Sequence, residues 1–311
     1  MRPQGHMNII HLDSKVSDEV RRNSLYEGHL FVFSPSASSL ALCEFAREMI
    51  AEAFGGLDPL KAQYELPVED YAKILSQLKP KFIHHPQSKA YIRGILEEHG
   101  CDPTKTYFDV PRMRTSTSDN YLTTGIAFAW HPHRDTWYSA PASQLNWWMP
   151  AFEIDANDGV AFHCRYWNEP VLNDSNRYNY YKWNQEHRGA ATNYIKSDPR
   201  PLPRPLEPVE LDSQIRPIVP VGGIILFSSA QLHSSVPNAS GKTRFSIDFR
   251  TVHLDDLLAR RGAPNIDSAC TGTSLRDFLR ATDYSRIADD VVALYSDGTE
   301  TMGTLIYQPP Q

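Results

Sequence analysis

Apolar positions change their spacing near residue 106, and that change divides the chain. Ahead of it, Leu40, Leu42, Phe45, Ala46, Met49 and Ile50 recur at the interval that gathers side chains on one face of a helix. Residues 36–39 offer N-cap serines and Gly55-Gly56 closes the run. Two further helices are predicted at 67–78, with Pro67 in the first turn where its missing N–H is not needed, and at 87–99, ending at Gly100. From 106 onward the pattern becomes alternation and short β-branched or aromatic runs. It predicts strands at 106–115, 125–130, 144–154, 158–167, 214–220, 222–228 and 243–252. Their connections are short and free of interleaved helices, which favours an antiparallel sandwich over a doubly wound parallel sheet. Helical spacing returns at 254–261, 275–284 and 287–295.

One segment, 168–208, fits neither template. It is rich in Asn, Tyr and Pro, and a loop of that length in a compact domain is usually a lid or binding loop. A peripheral embellishment or subunit contact is the alternative. Its Arg177, Tyr178, Tyr180, Tyr181 and Trp183 combine rigid aromatic area with directional bonding, a composition suited to recognising a polar ligand. The whole chain then reads as a single domain: residues 1–6 a cloning remnant, 7–105 a helical N-terminal layer, 106–252 a β core carrying the 168–208 insert, and 253–311 a helical extension.

Composition removes several functions. The net charge is −6 with no block of Lys or Arg, so the expected partner is a small molecule and not nucleic acid. The longest near-continuous apolar stretch, 221–227, is far below the roughly 20 residues of a membrane helix. Cysteines at 43, 101, 164 and 270 are too scattered for a disulfide framework, and no CxxC occurs, which fits a reducing, cytoplasmic setting. The oligomeric state is left open.

The 12 histidines invite a search for metal ligands, and His-x-Asp occurs at 11, 133 and 253. Residues i and i+2 of a strand share a face, so each pair could reach one ion. The pair at 253 has no histidine after it, and the pair at 11 lies in the N-terminal arm. His133-Arg134-Asp135 follows the apolar run 125–130, and His233 comes later in a second unusual string, His233-Ser-Ser235-Val-Pro-Asn-Ala-Ser-Gly-Lys-Thr-Arg244. Two histidines and one carboxylate leave coordination positions open, as in non-haem Fe(II) oxygenases. His131 supports a different reading, a zinc-dependent hydrolase with ligands His131, His133 and His233.

With its Asn146-Trp-Trp-Met-Pro150 strand, Asn157-Asp-Gly159 and the Ser235–244 string, the chain resembles the Fe(II)/2-oxoglutarate-dependent dioxygenases, and within them the phytanoyl-CoA dioxygenase-like branch, over about 106–252. The resemblance implies a mainly β fold, a double-stranded β-helix (jelly roll) core with a helical N-terminal layer and peripheral C-terminal helices. It implies Fe(II) on His133, Asp135 and His233, and 2-oxoglutarate held by Arg244 with Ser235 as helper. Arg250, on the same strand face as Arg244, competes for that role. The implied chemistry is O2-dependent oxidation of a substrate C–H bond: hydroxylation, or the related desaturation, cyclisation or epimerisation of a small polar molecule in natural product biosynthesis. Trp137 and Tyr138 join the insert residues as substrate contacts. The branch usually carries a Pro-Gly-Ser-His turn after Asn-Asp-Gly; here the chain runs Val160-Ala-Phe-His-Cys, which removes an inference of an acyl-CoA substrate. Asp135 argues against halogenating relatives, which lack the carboxylate. A catalytically silent jelly-roll binding protein is the non-enzymatic alternative.

Overall fold

The computed structural model of the chain describes residues 9–187, 191, 193–195 and 197–296. The expected cloning remnant and the end of the C-terminal extension lie outside them. Seven helices occur in the described part: α1 (Asp18–Tyr26), α2 (Ala37–Phe54), α3 (Val68–His84), α4 (Pro86–Glu98), α5 (Tyr180–Glu186), α6 (Leu254–Leu258) and α7 (Asp289–Ala293). The strands are β1 (Ile10–Leu12), β2 (Leu30–Phe33), β3 (Thr106–Phe108), β4 (Arg112–Ser116), β5 (Leu145–Pro150), β6 (Val160–Phe162), β7 (Ile224–Ser228), β8 (His233–Ser235), β9 (Arg244–His253) and β10 (Leu279–Arg280).

Helix α2 forms where its caps predict: Ser36 and Ser39 make reciprocal side-chain to backbone bonds, and Gly55 stops the helix at φ 60°. Helix α3 runs past the expected end, through Pro80, and Pro67 is its N-cap rather than its first helical residue. Helix α1 has no apolar stripe to announce it. Its buried face includes Arg21 and Arg22, and Arg22 Nε sits 2.7 Å from Asp256 Oδ2.

Eight strands form one mixed sheet in the order β1-β2-β7-β5-β9-β3-β10, with β4 also on β9. Only β1–β2 is parallel; β5 lies between β7 and β9, pairing Trp147 with Leu226 on one side and Phe249 on the other. Because side chains alternate along a strand, each central strand has two faces of different character. Leu145, Trp147 and Met149 of β5 and Phe245, Ile247 and Phe249 of β9 pack on the buried faces of α2, α3 and α4. Each such side chain contributes about 1.5–3 kcal/mol by leaving water. The opposite face carries Asn146, Trp148, Arg244, Asp248 and Arg250, and these line a cavity. A two-stranded sheet, β6-β8, covers part of that side, with Val160 and Phe162 packed on Trp148, Ile225 and Phe227.

The expectation of a mainly β protein is corrected: helical residues outnumber strand residues among those described, with three long helices packed on one face of the central strands. The N-terminal layer is not purely helical, since β2 pairs with β7. Residues 125–130 are no strand. They hold a 3-10 turn, Gly125–Ala127, and their apolar side chains Ile126, Phe128 and Trp130 line the cavity instead of a sheet face. The 214–220 strand is reduced to one bridge, Phe162 with Ile215, and 275–284 holds a short turn and β10 rather than a helix. No described helix is long and apolar enough to cross a membrane.

Candidate metal centre

His133 and Asp135 share a side because Arg134 between them is extended (φ −110°, ψ 142°), although Asp135 opens a 3-10 turn and not a strand. Arg134 points the other way. Its guanidinium is 1 % exposed and is held by Asp267 Oδ2 at 2.9 Å and by the Ala230 carbonyl at 2.6 Å. That buried anchor fixes the backbone from which both neighbours project. His133 and His233 exchange backbone hydrogen bonds of 2.9 and 3.0 Å, and the Asp135 N–H donates to Ser229 O at 2.9 Å. One ligand atom from each of His133, Asp135 and His233 thereby lies within 4.8 Å of the others.

The hydrogen bonds decide which ring nitrogens are available. Nδ1 of His133 is 2.8 Å from its own segment's His131 carbonyl, and Nδ1 of His233 is 2.9 Å from the Gln231 carbonyl. A carbonyl can only accept, so each Nδ1 carries a proton, and in the neutral ring each Nε2 keeps its lone pair. Burial, with His133 nearby, pushes His233 down to about 3, so it is neutral and ready to ligate at neutral pH. Burial acts against ionisation of Asp135, but the polar groups around it, among them His133 and the charged Arg250, hold its carboxyl well below the usual range. Trp130 stacks on His133 with ring centroids 4.9 Å apart. His131 is turned elsewhere: its Nε2 is 2.8 Å from the Pro203 carbonyl. His163 is bonded to Ser234 Oγ at 2.9 Å.

Gln144 was not marked by any motif. Its buried amide donates to Asp135 Oδ2 at 3.2 Å and to Asn146 Oδ1 at 3.0 Å. The two-residue spacing to Asn146 on β5 was the available signal. Gln144→Leu removes the donor without changing the shape of the wall much, and metal affinity is expected to fall about 10- to 100-fold with the fold retained. Calorimetric titration with Zn(II) checks this; an unchanged affinity would show that the bond does not hold the carboxylate.

Arg244 is 6 % exposed and faces the same cavity, of about 800 Å3. Its Nη1 donates to the carbonyls of Asp158 (3.1 Å) and Gly159 (3.0 Å), its Nε has no partner among the described residues, and its Cζ lies 5.6 Å from the Trp148 ring centroid. Among the described residues no carboxylate lies within 4 Å of it, and burial pushes it down to about 10. Ser235 lines the cavity too, its Oγ accepting from the Trp130 N–H at 3.3 Å. Arg250 differs from Arg244 in having a carboxylate beside it, Asp109 Oδ2 at 2.9 Å.

Of the insert and its neighbours, Tyr138, Tyr178, Tyr180 and Trp183 line the cavity. Trp137 is buried behind it with Nε1 bonded to Asp267 at 2.7 Å, Arg177 is exposed, and Tyr181 packs against Tyr178 and Tyr180. The insert is seated on the turn at Gly125, where a Cβ would meet the carbonyl oxygens of Tyr194 at 2.2 Å and Ala191 at 2.4 Å. Residues 188–190, 192 and 196 of the insert lie outside the described residues.

No protein-family profile matches the sequence, and no curated protein matches it. Among solved structures the chain is similar to EvdO2 from Micromonospora carbonacea var. aurantiaca complexed with 2-oxoglutarate, at TM-score 0.43 and 13 % identity, covering 76 % of this chain and 91 % of that one. It is similar to the apo form of the non-heme monooxygenase ThoJ at TM-score 0.39 and 12 % identity, covering 84 % and 86 %. A third similar structure is the non-heme alpha ketoglutarate dependent epimerase SnoN from nogalamycin biosynthesis, at TM-score 0.35 and 11 % identity, covering 76 % and 84 %.

Proposed function

We propose that the chain is an Fe(II)/2-oxoglutarate-dependent oxygenase of the phytanoyl-CoA dioxygenase-like kind, on a double-stranded β-helix core, which oxidises a C–H bond of a small molecule in natural product biosynthesis. The observation that carries this reading is one cavity holding both a His-Asp-His cluster with two free Nε2 lone pairs and a buried guanidinium that lacks a carboxylate. The donor set fits iron: two imidazoles and one carboxylate suit a divalent, O2-activating metal better than a closed structural zinc site. His131 is committed to a carbonyl, which counts against the three-histidine zinc hydrolase.

His133, Asp135 and His233 would hold the metal, which supplies, when bound, the O2 chemistry that no side chain provides. Arg244 would take the distal carboxylate of 2-oxoglutarate as a charge-assisted pair, with Nη1 kept by the two carbonyls. Gln144 orients the Asp135 carboxylate, and Trp130 restrains the His133 ring. Tyr138, with Tyr178 and Trp183 of the insert, lines the cavity, where these rings would shield the site from water and position the substrate. The metal-loaded chain incubated with 2-oxoglutarate and O2 is expected to release succinate, faster with a cognate small molecule and not at all with Zn(II) replacing Fe(II). Failure of 2-oxoglutarate to bind the metal-loaded chain would sink the reading.

A further inference from the structure

We propose that the cavity accepts a substrate carrying a carboxylate on a partly apolar body, and that Lys79 holds that carboxylate. Naming the bound molecule the substrate rests on the oxygenase reading; the presence of the acid site does not.

The cavity extends well beyond the metal ligands. The segment carrying His133 and Asp135 is tied to Ser229, just after β7, and to Gln144, just before β5. Lys79 approaches from α3, which packs on β4 and the 125–127 turn. In the sheet, β4 lies two strands from β5 across β9, a separation of about 10 Å at ordinary strand spacing. Both ends line one cavity of about 800 Å3, toward the upper end of the roughly 300–1,000 Å3 typical of ligand pockets. Beside its charged groups the wall includes Ile83, Val110, Ile126, Phe128 and Leu202, so a bound molecule meets apolar surface as well as charge.

The charges on the wall make Lys79 distinctive. Arg114 has Asp248 at 2.6 Å, Arg112 has Asp109 at 2.6 Å, Arg250 has Asp109 at 2.9 Å, and Arg200 is paired with Asp198. Lys79 donates to the Ile126 carbonyl and, among the described residues, has no carboxylate within 4 Å. An ammonium has three donors, and one carbonyl uses one of them. Arg244 is the other cation of the wall with no carboxylate within 4 Å among the described residues, and on the proposed reading a single 2-oxoglutarate answers for it. Arg112 and Arg250 share Asp109, so among the described residues Lys79 is the wall cation left with neither a carboxylate within 4 Å nor a cosubstrate to meet it. Burial, reinforced by Arg114, pushes the Lys79 ammonium down to about 7, the strain expected of a cation whose counter-ion arrives with the ligand.

The test uses the full chain with Zn(II) and saturating 2-oxoglutarate, so that Arg244 is occupied. Three acids (4-phenylbutyrate, indole-3-butyrate and decanoate) are titrated calorimetrically beside their primary amides. The wild type is expected to bind an acid more tightly than its amide. Lys79→Met should weaken the acid about 10- to 150-fold, the range of a charge-assisted hydrogen bond, while leaving the amide within about twofold; Lys79→Arg should keep the preference. The proposal is overturned if the wild type prefers none of the acids, or if Lys79→Met retains the preference. The wild-type comparison stands even where the Met variant does not fold. If 2-oxoglutarate itself does not bind, the oxygenase reading falls, and the same acid and amide pairs in an Arg244→Met background still decide the role of Lys79.

Discussion

Asp135→Ala is expected to abolish succinate release and to weaken Fe(II) or Zn(II) binding by more than about 100-fold, the upper end of what removal of a mere outer-shell partner costs. The carboxylate is the one charged member of the cluster, and its Oδ1 lies 3.6 Å from His133 Nε2, where both can address one ion. His131→Ala is expected to leave metal content unchanged, since its Nε2 is occupied by Pro203 and its Nδ1 is not part of the cluster. Metal stoichiometry of the two purified variants decides the matter. Metal retained without Asp135 and lost without His131 would move the site and revive the zinc alternative.

Arg244→Ala is expected to weaken 2-oxoglutarate by about 10- to 150-fold, from the roughly 1.5–3 kcal/mol of a hydrogen bond to a charged group. Arg250→Ala should act mainly on stability. It leaves Asp109, 1 % exposed, with Arg112 alone at 2.6 Å, so the loss should fall below the about 3–5 kcal/mol of a fully broken buried pair. Cosubstrate affinity by calorimetry and thermal melting of both variants give the two readouts. Reversed phenotypes would place the cosubstrate carboxylate at Arg250.

Both predictions concern choices between residues that one-dimensional patterns treat alike. His131 and Asp135 flank His133 at equal spacing, and Arg244 and Arg250 share a face of β9. In each pair the difference is made by a partner far away in the chain: Pro203 for His131, Asp109 for Arg250. The substrate side shows the same limit. Tyr178 and Tyr181 sit in one aromatic stretch, yet only Tyr178 lines the cavity, because α5 begins at Tyr180 and turns successive side chains through different directions.

What the sequence alone determined is what depends on near neighbours. The capped amphipathic run of α2, the alternation of β9 with Phe245, Ile247 and Phe249 against Arg244, Asp248 and Arg250, and the three metal-ligand candidates in their order are all local patterns. Propensity, capping and strand periodicity act over a few residues, so a linear reading can find them. Tertiary structure decided the rest. Helix α1 buries arginines and is stable there because Asp256 meets Arg22, while β2 gains its place from Ile224, Ile225 and Leu226. Residues 125–130 look like a strand and serve as cavity wall, since an apolar side chain is equally satisfied by a sheet partner or by a pocket. Gln144 acquires meaning only from Asp135, and Lys79 only from its place on the cavity wall beside the Ile126 carbonyl, and relations of that kind leave no periodic trace in the chain.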